Sequence, residues 1–146
     1  MITLDEYIGV HASSPDWTPE RQANAIILLT QCAALRLRMA ADGVIFKVNP
    51  KTDTCISGEK DGWGGFRTQD ALDQRTGLPE GAKRSNHKEG LAVDNYDPDG
   101  AIDTWLMAHS DDLEFYGIYI EHPDTTPGWS HWSTKPPGSG HHIFYP

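Results

Sequence analysis

The chain has no apolar run near the roughly 20 residues that a membrane-spanning helix needs. The longest is Ala25-Ile26-Ile27-Leu28-Leu29. Its opening, Met1-Ile2-Thr3-Leu4-Asp5-Glu6, has neither a basic nor an apolar segment, so no signal peptide is expected. Basic charge is scarce: 12 Lys and Arg stand against 21 Asp and Glu, a net charge of −9. That argues against nucleic acid as a partner, because phosphate contacts need clustered cations. There are two cysteines, Cys32 and Cys55. With no export signal a reducing compartment is expected, hence no disulfide, and neither thiol sits in a nucleophile context. Gly62-Trp63-Gly64-Gly65 lacks the Lys-Ser/Thr of a phosphate loop. Asp94, Asp97, Asp99 and Gly100 hint at a calcium loop, but Trp105 stands where that loop needs its last Glu. No two carboxylates have a spacing that singles them out for glycoside hydrolysis.

The 146 residues are one domain's worth of chain, and no repeat or linker divides them. Residues 1–17 read as an irregular or short helical lead-in. Asp16 or Thr18 is a good N-cap, with Pro19 at the first helical position. Ala23, Ile26, Ile27, Thr30, Ala33, Leu37 and Ala40 then recur at spacings of three and four. They predict an amphipathic helix of about six turns, closed at Gly43, with Cys32 as a small core residue. Strands are expected at 44–48, 89–94, 115–120 and 129–134, and a second, shorter helix from Ala101 to about His109. Residues 51–86, rich in glycine, read as a long loop of the kind that usually serves function. Residues 135–146 form a Pro/Gly-rich tail ending in Ile143-Phe144-Tyr145. The fold class is therefore α+β, a single domain with a small antiparallel sheet and one long N-terminal helix.

The segment that carries chemistry is Ser85-Asn86-His87-Lys88-Glu89-Gly90-Leu91-Ala92-Val93-Asp94, or S-x-H-x-x-G-x-A-x-D. His87 leaves a loop just before a strand, Gly90 permits close backbone approach, and Asp94 lies on one strand face. An imidazole and a carboxylate so placed can take two corners of a zinc tetrahedron. A third ligand must come from elsewhere, and His131, on a strand between Trp129 and Trp132, is the best candidate. Adjacent strand residues point to opposite faces, so His141-His142 is a poor chelating pair.

This pattern resembles the zinc D-alanyl-D-alanine peptidases of the M15 type and, more broadly, the Hedgehog/DD-peptidase fold. Over roughly residues 20–134 the chain looks most like small phage-encoded members. The resemblance implies that Zn²⁺ is held by His87, Asp94 and His131 with one position open for water. It implies that Arg67, after the glycine- and aromatic-rich stretch ending Gly65-Phe66, binds the substrate carboxylate, and that Ser85 helps to hold substrate. It implies hydrolysis of peptidoglycan stem peptides by an enzyme made in the host cytoplasm. Such an enzyme acts at the cell wall, as an endolysin does, or rides on a virion.

One position departs from the family. The general base usually stands three residues before the last His ligand, and here that residue is Gly128. The nearest upstream carboxylates are Asp124 and Glu121, seven and ten positions before His131. A loop with Pro123 and Pro127 could fold Glu121 back as the catalytic carboxylate. The rival reading keeps the fold without the activity: a binding or structural module of a phage virion, docking on other virion proteins through its apolar tail.

Overall fold

A computed structural model describes residues 1–59, 64–70 and 85–146. Its class is the α+β expected. The glycines at 62, 77 and 81, and half of the loop expected at 51–86, lie outside the described residues.

Helix α1 (Leu4–Ile8) is started by a capping box between Thr3 and Glu6. Helix α2 (Pro19–Ala41) is capped by Thr18, whose hydroxyl accepts from the Arg21 N–H. Its buried stripe is Ala25, Leu28, Cys32, Leu35 and Met39. The stripe singled out from the sequence is the wrong one: Ile26, Ile27 and Leu37 are 50, 55 and 66% exposed. Arg36 joins the core side by laying its guanidinium 4.0 Å from the centre of the Phe46 ring.

Of the expected strands, one is absent and another starts late, at Tyr119. Residues 44–48 form no ladder. Phe46 instead packs edge-on against Trp132, and residues 54–57 take the place beside the sheet through an Ile56–Asn95 bridge. Residues 110–116 form a helix, α4 (Ser110–Tyr116), with Asp111 and Asp112 in its first turn. Gly117, at φ 66°, stops it. Helix α3 (Ala101–Ala108) stands just before it as expected. The suspected calcium residue Asp97 serves as its cap, its two carboxylate oxygens accepting from the N–H groups of Ile102 and Asp103.

The sheet comprises β1 (Ala92–Tyr96), β2 (Tyr119–Glu121), β3 (Trp129–Ser133) and β4 (Ile143–Phe144), in the order β1-β3-β2-β4. The first three are antiparallel, but β4 runs parallel to β2, so the sheet is mixed. The tail thus belongs to the fold: Ile143 packs on the core and Tyr145 stacks on His122. Val93, Ile120 and Trp132 project from one face into the core with α2. The alternation of strand side chains sends Asp94, His131 and Glu121 to the other face.

Candidate metal centre

The site begins with backbone geometry. The N–H groups of Lys88, Glu89 and Gly90 donate to the carbonyls of Ser85, Asn86 and His87, so residues 85–90 form consecutive turns. Gly90 has φ 73°, and a Cβ there would lie 2.5 Å from the Arg21 carbonyl oxygen. Only glycine lets this turn press against α2. His87 hangs from the turn, 4% exposed.

Asp94 and His131 are register partners on β1 and β3. The N–H and carbonyl of Asp94 point the other way, to the carbonyl of Gly64 and the N–H of Ser57. The pair is therefore of the antiparallel type without mutual backbone bonds, in which side chains come closest. His131 Nδ1 lies 2.7 Å from Asp94 Oδ1, and His87 Nε2 lies 3.3 Å from the same oxygen. The second oxygen, Oδ2, accepts from the Arg67 guanidinium at 3.0 Å. His87, Asp94 and His131 each offer a ligand atom, and the three atoms lie within 4.8 Å of one another. This buried group can hold a metal ion.

The three side chains titrate in different directions. Burial alone would raise the Asp94 carboxyl, but the charges and hydrogen bonds of His87 and His131 hold it well below the usual carboxylate range. Burial, aided by the Arg67 cation, pulls His87 down against the opposing pull of Asp94. Its Nδ1 faces the carbonyl of Gly65 at 2.9 Å; a carbonyl can only accept, so Nδ1 carries the proton and Nε2 is left as the ligand nitrogen. Burial lowers His131 too, but its bond to Asp94 and the charges of Asp94 and Glu121 outweigh it and leave the ring raised.

Of the residues expected at the site, His87, Asp94, His131, Arg67 and Glu121 come together. Glu121 arrives on β2 rather than through a folded-back loop, its Oε1 4.0 Å from His131 Nε2. Burial raises its carboxyl. Asp124 does not arrive: it pairs with His122 and is 78% exposed. Ser85 contributes its carbonyl to the turn. Gly128 has φ 91° in the turn before β3. Trp132 does not flank His131, as it points into the core; Trp129 alone shares the histidine's face.

Two contributors carry no signal in the sequence. Gly65 acts through its carbonyl. Tyr7 is fully buried; its hydroxyl donates to the Ala92 carbonyl at 3.0 Å, and its own carbonyl accepts from Phe66 N–H, next to Arg67. Compared with family models, curated proteins and solved structures, the chain matches none. No helix among the described residues is long and apolar enough to cross a membrane.

Proposed function

We propose that this protein is a zinc-dependent peptidase that hydrolyses peptidoglycan stem peptides, of the D-alanyl-D-alanine carboxypeptidase or endopeptidase type. The observation that carries this reading is the buried convergence of His87, Asp94 and His131. Two of the three stand in the S-x-H-x-x-G-x-A-x-D pattern that resembles the M15 family. The donor set fits zinc: two imidazoles and one carboxylate, with a fourth position left for water. The 3.3 Å between His87 Nε2 and Asp94 Oδ1 matches the edge of a tetrahedron with bonds of about 2.0–2.1 Å, roughly 3.3–3.4 Å, whereas the 2.7 Å between His131 Nδ1 and Asp94 Oδ1 is a hydrogen bond that an ion would have to open.

Zinc bound there would supply Lewis acidity and bring the ionisation of water near neutral pH. The chain's own residues prepare the rest. Gly65 fixes the tautomer of His87 and Arg67 engages Asp94 Oδ2, leaving Oδ1 to face both rings. Arg67 would also bind the substrate carboxylate, as the resemblance implies. Synthesis in the host cytoplasm and action at the cell wall, or on a virion, follow from the same reading, with a peptidoglycan peptide as partner and neither nucleic acid nor membrane.

The test is zinc content of untagged protein together with amine release from purified sacculi, before and after chelation. One zinc per chain and chelator-sensitive release are expected, and His87→Ala should lose both. A His87→Ala protein that keeps full zinc would sink the ligand assignment. One observation favours a second reading, a virion component with the fold and without the activity. The usual base position is Gly128, in a left-handed turn at φ 91°. Zinc without amine release, and co-purification with particles, would select it.

A further inference from the structure

Glu121 is the second carboxylate at the centre, and its position defines what it can do. The β2–β3 register pairs Tyr119 with Ser133 and Ile120 with Trp132. Continued by one residue, it sets Glu121 opposite His131, as Asp94 is set opposite His131 on the other side. Asp94, His131 and Glu121 thus form one row across three neighbouring strands, with the imidazole in the middle. The N–H groups of Ile120 and His122 turn outward to β4. The ladder ends at Ile120 and Trp132, and the contact on this side is the looser one, 4.0 Å against 2.7 Å on the other.

The two nitrogens of the ring point apart. Nδ1 faces Asp94 Oδ1, the oxygen that His87 also faces, and Nε2 faces Glu121. Without an ion the Asp94 carboxylate can only accept, so Nδ1 carries the proton toward it; an ion bound by Asp94 and by Nδ1 would displace that proton and leave Nε2–H to face Glu121. A general base must lie within about 2.6–3.2 Å of the proton it takes, or one water away. Glu121 approaches from the far side of a ligand instead. A carboxylate there does what outer partners of metal-bound histidines do: it accepts the other ring N–H, selects the tautomer and holds the ring.

We propose that Glu121 is a positioning residue for His131, taking its Nε2–H so that Nδ1 is presented to the metal, and that it is not the general base. This rests on the reading of His87, Asp94 and His131 as a metal site.

The test is zinc affinity, by competition with a chromophoric chelator, for the full-length protein, Glu121→Ala and Glu121→Gln, with amine release alongside. Glu121→Ala should bind zinc roughly 10- to 100-fold more weakly, the usual loss for an outer partner. Glu121→Gln, whose amide oxygen still accepts the N–H, should stay within about threefold of the parent and keep most of its activity. Nitrogen-15 shifts of the zinc-loaded parent should show His131 protonated at Nε2. Unchanged affinity in both variants with activity lost in both would mean that Glu121 is the base, and would overturn the proposal. A parent protein that binds no zinc would overturn the metal reading itself, and this proposal with it.

Discussion

His87 and Gly65 are joined by a 2.9 Å hydrogen bond between the Nδ1–H of the ring and the glycine carbonyl. Twenty-two residues separate them in the chain. The bond decides which nitrogen of His87 faces Asp94. Gly65 can make it only by lying hard against α1, where a Cβ would come 2.2 Å from the Tyr7 carbonyl oxygen.

Gly65→Ala should therefore act twice. The backbone clash should destabilise the protein by about 1–3 kcal/mol, as overpacking does. Any shift of the carbonyl should also weaken zinc binding by releasing His87. Urea midpoints and chelator competition measure the two effects, and a variant with parental values in both would refute this account of the glycine.

Tyr7→Phe removes one hydroxyl from a fully buried ring and strips the Ala92 carbonyl of a donor. A loss of about 1–3 kcal/mol is expected, with Tm lower by roughly 2–4 °C for each kcal/mol. Because the hydroxyl supports β1 two residues from Asp94, its removal should also weaken zinc binding, so the loss should grow when zinc is saturating. Calorimetry with and without zinc tests it.

Asp103 is 5% exposed, and burial raises its carboxyl to about 6 with the Asp97 charge adding to the effect. Its Oδ1 has no hydrogen-bond partner. A folded-state value above the unfolded one means that the folded chain holds the extra proton. Stability from this group is thus full below about pH 4 and is lost as pH rises through about 6. Asp103→Asn should remove that loss and raise stability at pH 8 by on the order of 1–2 kcal/mol. Urea melts of both proteins at pH 4 and 8 give the comparison; an equal gain at both values would rule out the proton linkage.

Asp97→Ala takes away the acceptor of two N–H groups at the start of α3. The expected cost is about 1–2 kcal/mol, that of a lost helix cap. Because the carboxylate is already engaged by backbone donors, calcium should leave the parent Tm unchanged while zinc raises it. A calcium-dependent rise would refute this account of Asp97.

The site was more legible in the sequence than the packing around it. His87 and Asp94 lie within ten residues, in a pattern whose glycine and alternation have direct backbone meaning, and both strands that carry ligands were found. Helix α2 was legible through Thr18 and Pro19, but its buried side was not. Ile26, Ile27 and Leu37 keep helical spacing as well as Leu28, Leu35 and Met39 do, and only the sheet decides between the stripes. Residues 44–48 have strand composition, but strands need partners, and residues 54–57 took the place beside β1. Phe115 and Tyr116 looked like strand residues because the two acidic residues that start their helix lie before the apolar stretch. The carbonyl of Gly65, the reach of Tyr7 and the seat of Glu121 are products of register and long-range contact. Residue type alone does not encode them.

Asp94 is gripped by backbone on one side and by a partner strand on the other: its N–H reaches Gly64 at 2.7 Å and its carbonyl receives Ser57 at 2.9 Å. Its main chain cannot yield without opening the sheet. An incoming ion would therefore meet one immovable anchor and two rings that need only pivot. Most of the ordering entropy of the site is lost when the domain folds, and little is left to be lost at capture. Such a centre acts as a clasp that is already set, and its filling should report on the integrity of the whole sheet.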